Sequence, residues 1–246
     1  MCGIVAAIAE RPVQSILLEG LKRLEYRGYD SAGLATLAGG HIQRTRAQGK
    51  VAKLESLLRD STANQGIAHT RWATHGVPSI KNAHPHQSGR FAVVHNGIIE
   101  NYESLRSELT DFGYTFDSDT DTETIAHLLH YVSQTHDSFD AVVTAVIKRL
   151  EGAFALAILD QETPGVLWVA RQGSPLVIGV GHGEHFVGSD QLALLHVTDR
   201  FIFLNEGDSA KLRSHVLDIY DGDHQPVNRP LVQATTSSEQ VSKGQY

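Results

Sequence analysis

The chain contains a single cysteine, and it is the second residue. Removal of Met1 would leave Cys2 first in the chain, with a free α-amine beside its thiol. An unperturbed α-amine titrates near about 7.7–8.0 and a free thiol near about 8.5, so at neutral pH the amine can take the thiol proton. Such a residue carries its own general base, as nucleophiles activated by an N-terminal amine do. With Met1 retained, Cys2 has no amine and the chain is a precursor. A lone cysteine is otherwise a small buried hydrophobe, but position two and the neighbouring Gly3, which permits close approach of other backbone, weigh against that here.

Acyl chemistry at a thiolate needs hydrogen-bond donors where the oxyanion develops. Asn96-Gly97 supplies an amide side chain and a backbone N–H in adjacent residues, at the end of an apolar run. Taken alone, the same dipeptide reads as a tight turn. Arg71 and Asp121 offer one fixed cation and one fixed anion, the pair needed by a ligand with an α-carboxylate and an α-ammonium group. Asp121 has an ordinary alternative as an acid in the first turn of a helix. Trp72, followed by 73–76, reads either as a lid pivoting at Gly76 or as a core tryptophan at a strand end. His69, His75, His84, His86 and His95 come nearest to a metal pattern. Without a matching cysteine or carboxylate spacing they read as hydrogen-bonding or surface histidines. No metal and no cofactor is expected.

These residues need rigid carriers. Residues 3–9 form a continuous apolar run, the pattern of a strand buried on both faces, which would hold Cys2 on the core. Pro12 opens a helical pattern that ends near Arg27-Gly28. Residues 31–37 and 41–46 read as a hairpin around Gly39-Gly40, and 50–58 as a short amphipathic helix. Strand-like runs at 66–72 and 91–97 flank a loop long enough to suggest function. Helices are expected at 101–112, 123–136 and 139–149, the second announced by the capping-box spacing of Thr120 and Glu123. From 153 to 220 the pattern is a succession of short strands. Early strands flanked by helices and a late run of strands predict an α+β fold, a four-layer αββα sandwich of two packed sheets covered by helices.

At 246 residues the chain is long enough for one sizeable core. We place that domain at 1–231 and read the polar stretch 232–246 as a linker. A formal charge of -7 with no basic run argues against a nucleic-acid surface. No run of eighteen apolar residues indicates a membrane span, and the first fifteen residues do not resemble a signal peptide. A single cysteine suits a reducing compartment, so a cytoplasmic location is expected.

Eight blocks in order carry a resemblance: MCGIV at the start, LEYRGYDSAG from Leu24, HTRWATHG from His69, NAHPH from Asn82, HNGIIEN from His95, TDTE from Thr120, GSPLVIG from Gly173 and SDQLALL from Ser189. Together they resemble the glutaminase domain of the glutamine–fructose-6-phosphate aminotransferase family, within the class II amidotransferases of N-terminal-nucleophile fold. The resemblance implies an enzyme in which Cys2, freed of Met1, attacks the side-chain amide of L-glutamine. It implies an oxyanion hole from Asn96 and Gly97, and substrate contacts from Arg71, Trp72, Thr74, His75 and Asp121. Arg27 falls on the family's arginine near the nucleophile. The family continues into two sugar-isomerase domains of the same polypeptide, which use the ammonia to make glucosamine 6-phosphate, so the chain reads as an excised domain. Two readings of another kind stay open at this point. A glutamine-sensing domain would retain Met1 and leave glutamine unreacted, and a histidine metal site would lose activity to a chelator.

Overall fold

The computed structural model describes residues 2–72 and 77–234. The chain opens with β1 (Gly3–Ala9), α1 (Gln14–Leu24) and a 3-10 turn at Glu25–Arg27, followed by the hairpin β2 (Ser31–Ala38) and β3 (His41–Gln48). Then come α2 (Val51–Glu55), β4 (Gln65–Arg71), β5 (His86–Ser88), β6 (Phe91–Ile99) and three helices, α3 (Tyr102–Asp111), α4 (Asp121–Val132) and α5 (Phe139–Ile147). The second half is strand-rich: β7 (Gly152–Asp160), β8 (Leu167–Gln172), β9 (Val177–Val180), β10 (Glu184–Gly188), β11 (Arg200–Phe203), β12 (Ser209–Leu212), β13 (Leu217–Tyr220) and β14 (Leu231–Gln233).

Two antiparallel sheets result. One has eight strands in the order β14-β11-β9-β10-β1-β4-β2-β3, the other six in the order β13-β12-β8-β7-β6-β5. Side chains alternate across a strand, and in β1 both sets are buried. Ile4, Ala6 and Ile8 pack between the sheets with Val94, Ala155 and Ala157. Val5, Ala7 and Ala9 pack outward on Leu17, Leu21 and Leu24 of α1. The outer face of the second sheet is covered by α3, α4 and α5 through residues such as Ile125, Leu129 and Val143. The layers are therefore helix, sheet, sheet, helix, an α+β architecture as the apolar pattern predicts. Among the described residues no helix is long and apolar enough to cross a membrane.

Local differences from the expected elements have physical reasons. The helix expected over 50–58 is shorter, because Leu57 and Leu58 donate three residues back, to Leu54 and Glu55, which tightens the last turn. Thr120 and Glu123 have the spacing of a capping box without its bonds. Glu123 instead accepts from Asp117 N, Ser118 N and Ser118 Oγ, while Thr120 Oγ contacts Ser118 Oγ and His86 Nε2. Strands β5 and β14 were not expected, because three residues are too short to show a period. The polar stretch expected from 232 begins later, since Val232 and Gln233 still pair with Phe201 and Arg200. Residues 235–246 lie outside the described residues.

Candidate active site

Strand β1 presents Cys2 at its leading end. Gly3 pairs with Thr70 of β4, so Cys2 falls beside Arg71 and Trp72 where β4 ends. A Cβ on Gly3 would meet Thr70 Oγ1 at 2.8 Å and Leu24 Cβ at 2.9 Å, so only glycine fits there. The crowding comes from side chains and not from the backbone approach expected of it. Cys2 is half-buried. The Trp72 N–H points to its Sγ at 3.3 Å and the Trp72 carbonyl lies 3.5 Å from the same sulfur. Burial pushes the thiol pKa above its ordinary value, opposed by the hydrogen bond with the Trp72 backbone and by the Arg71 charge.

Across the gap between the sheets stands β6. Asn96 Nδ2 donates to the Cys2 carbonyl at 3.2 Å, joining the second sheet to the nucleophile. Asn96 and Gly97 lie within β6, paired with Ala155 and Phe154 of β7, so the tight-turn reading of this dipeptide does not hold. Gly97 has φ of 124°, and a Cβ there would sit 1.9 Å from the Ala153 carbonyl oxygen. No other residue fits this position without moving the strand.

Arg71 is buried, with Nη1 3.9 Å from Asp30 Oδ1, and its carbonyl accepts from the Asp30 N–H at 3.0 Å. Asp121 is the first residue of α4 and is also buried. Its Oδ2 accepts from the Ile99 N–H at 2.9 Å, tying the helix to the end of β6, and lies 3.8 Å from His95 Nδ1. It is thus a first-turn acid that also ties α4 to β6. Trp72 is half exposed and meets Tyr29 edge to face at 6.1 Å between centroids. The core tryptophan is Trp168. Arg27 is ion-paired with Asp190, and Ser189 just before it bonds both backbone polar groups of Ile4. Arg27 and Asp190 also line a cleft of about 290 Å³ with Arg171, Leu176 and Phe203. Thr74, His75 and Gly76 lie outside the described residues.

Four of the histidines have a place that sequence reasoning missed. His69 Nε2 lies 2.9 Å from Asn96 Oδ1 and 3.1 Å from the His95 carbonyl oxygen. His84 Nδ1 lies 3.0 Å from His69 Nδ1, and His84 Nε2 is 2.7 Å from Thr122 Oγ. His95 Nδ1 is 3.0 Å from the same hydroxyl, and His86 meets Thr120. All four rings are buried. The signal was present in the sequence: His69 and His95 each interrupt an apolar strand run, and a buried polar ring must find partners. Among the described residues no group of three or more His, Cys, Asp or Glu is arranged to hold a metal.

The arrangement brings the Cys2 end of β1 against Asn96 of β6, with the left-handed Gly97 next in that strand, buried Arg71 at the end of β4 and buried Asp121 at the start of α4. The family described as a glutamine amidotransferase domain matches residues 69–196. The chain is 55% identical over 250 residues to the glutamine–fructose-6-phosphate aminotransferase [isomerizing] of Pseudomonas putida, and 54% identical to that of Idiomarina loihiensis. Each match covers all of this chain and 41% of the relative, so the chain spans about two fifths of the length of these curated relatives. Among solved structures, glutamine phosphoribosylpyrophosphate amidotransferase from B. subtilis superposes with a TM-score of 0.79 at 23% identity, over 92% of this chain and 50% of that one. At that identity the likeness is one of fold.

Proposed function

The chain belongs to the glutamine amidotransferase family, and we propose from that premise that it hydrolyses L-glutamine to glutamate and ammonia through a thioester on Cys2. Loss of Met1 frees the Cys2 amine, which takes the thiol proton. The need for that base is greater because burial raises the thiol pKa. The thiolate adds to the side-chain amide carbon, and the oxyanion takes a proton of Asn96 Nδ2 and the Gly97 N–H as donors. The C–N bond then breaks, ammonia leaves with the proton held by the Cys2 amine, and water splits the thioester to release glutamate.

Arg71 holds the α-carboxylate of the substrate and Asp121 its α-ammonium group. Thr74 and His75 add contacts to the substrate, Trp72 serves as its lid, and Arg27 borders the nucleophile from the 3-10 turn. The domain runs from residue 1 to the edge strand near 233, and the polar stretch that follows leads to sugar-isomerase domains of the same polypeptide. There the ammonia converts fructose 6-phosphate to glucosamine 6-phosphate in the cytoplasm. The observation that carries the reading is the grip of Asn96 Nδ2 on the Cys2 carbonyl, which sets an amide donor beside the only thiol in the chain.

The test is glutamate release from glutamine by the purified chain and by Cys2→Ala. Release by the wild type and its loss in a variant that still binds glutamine are expected. Equal release from both would remove Cys2 from the mechanism.

A further inference from the structure

We infer that His84, His69 and Thr122 form a one-way hydrogen-bond chain that locks the Asn96 amide with its N–H toward the nucleophile, making the two histidines positioning residues for the oxyanion donor. The inference rests on the reading of Asn96 as that donor. Its starting points are two backbone carbonyls, which only accept hydrogen bonds.

The Cys2 carbonyl lies 3.2 Å from one end of the Asn96 amide, so that end is Nδ2 and the other, facing His69, is Oδ1. His69 Nε2 must therefore carry a proton to give to Oδ1. The His95 carbonyl oxygen, 3.1 Å from the same nitrogen, demands that proton independently. Burial keeps His69 neutral, with its pKa pushed down to about 3, so its Nδ1 is bare. Two bare nitrogens 3.0 Å apart would repel, and so the proton between the rings sits on His84 Nδ1. Burial holds His84 well below its usual range too, which leaves its Nε2 bare as an acceptor for the Thr122 hydroxyl at 2.7 Å. That hydroxyl has one proton to give. Its Asp121 neighbour at 3.5 Å is the poorer partner, and its oxygen receives from His95 Nδ1 at 3.0 Å.

Every bond in the chain then points the same way, from His95 through Thr122, His84 and His69 to Asn96 and on to the Cys2 carbonyl. A flipped Asn96 amide would set its NH2 against the His69 N–H and its oxygen against the Cys2 carbonyl. His69 has no second tautomer to offer, because the His84 N–H occupies its other nitrogen. One Nδ2 proton is spent on the Cys2 carbonyl, and the other is left for the oxyanion. Phe or Leu at position 84 would fill space without enforcing this orientation.

The experiment is nitrogen-15 NMR of the histidine rings in the full chain, paired with glutamine kinetics. In the wild type we expect His69 protonated on Nε2 and His84 on Nδ1. His84→Phe should mix the His69 tautomers and lower kcat by roughly tenfold to a hundredfold, with KM within about twofold, since a donor to the transition state is lost and substrate binding is not. His84→Asn, whose amide N–H replaces Nδ1–H, should bring kcat back to within about threefold of wild type. A purely structural role would lower stability in both variants and would not separate them. His69 protonated on Nδ1 in the wild type overturns the inference even if no variant folds, as does a folded His84→Phe with full kcat. Both tautomers as expected but no glutamate release by the wild type would overturn the glutaminase reading and leave the lock standing.

Discussion

On one wall of the candidate site Cys2 is presented by main chain, and on the other Asn96 is presented by side chains. The β1–β4 wall is apolar on both faces of β1, and the contacts to the sulfur come from the Trp72 backbone. On β6, Asn96 stands at the end of a buried set of imidazoles and hydroxyls that starts from His95 and Thr122 and passes through His84 to His69 of β4. Main-chain presentation ties Cys2 to the stability of the whole sheet, so few single side chains adjust it. Side-chain presentation makes the Asn96 amide sensitive to single atoms several residues away. A nucleophile needs only a fixed position, whereas an amide donor also needs one of two orientations chosen, and only hydrogen-bond polarity makes that choice.

The largest effect expected is at Cys2 itself. Cys2→Ala should reduce glutamate release by at least about 10³-fold while glutamine still protects the folded chain against heat. Activity within tenfold of wild type would break the contrast between the walls. Asn96→Ala should lower kcat by about 10²–10³-fold with little change in KM, measured by steady-state glutamate release. A KM effect alone would move Asn96 from the oxyanion to substrate binding. Arg71→Ala should act mainly on KM, by roughly 2–5 kcal/mol, because it leaves a buried carboxylate partner unmatched. Unchanged half-saturation would show that the cation on the β1–β4 wall does not bind the substrate.

Acid should weaken the buried histidine cluster first. Burial lowers the pKa of His69 and His86 to about 3 and holds His84 well down, so all three are neutral when folded and take up protons on unfolding below their ordinary value near 6.5. Stability is then fully present above that value and falls as pH drops toward about 3. Each ring adds up to about 1.4 kcal/mol per pH unit. Thermal melts from about pH 7 to pH 5 should show this slope, and replacing His86 with Gln should shallow it. The smallest effect is expected at Trp72→Ala. Its half-exposed ring is held by Tyr29 and little else in the described contacts, so KM should rise by less than about tenfold.

Much of the frame was legible because burial writes a period into sequence. Strand β1 and helix α1 carry long apolar patterns, and the αββα layering follows from where helices and strands cluster. The three-residue strands β5 and β14 carry no period and went unseen. In the site, Cys2 stood out by position, and Asn96-Gly97 became distinct from a turn only through pairing with β7. Asp30, the partner of Arg71, is separated from it by 40 intervening positions, including a hairpin and a helix, so nothing local announces the pair. The histidine chain joins β4, β5's leading loop, β6 and α4, and its polarity depends on two backbone carbonyls that no residue-type pattern encodes. Each interrupted strand shows that a buried ring needs a partner, but not which one.

The most direct test of the central claim, that Cys2 is a nucleophile carrying its own amine base, is one intact-mass measurement. The purified protein would be weighed before and after treatment with a diazoketone analogue of glutamine that alkylates amidotransferase cysteines. The account predicts a mass lacking Met1 and one adduct on Cys2, suppressed by excess glutamine. A chain that has lost Met1 and turns over glutamine yet takes no adduct, or takes it on another residue, would contradict it.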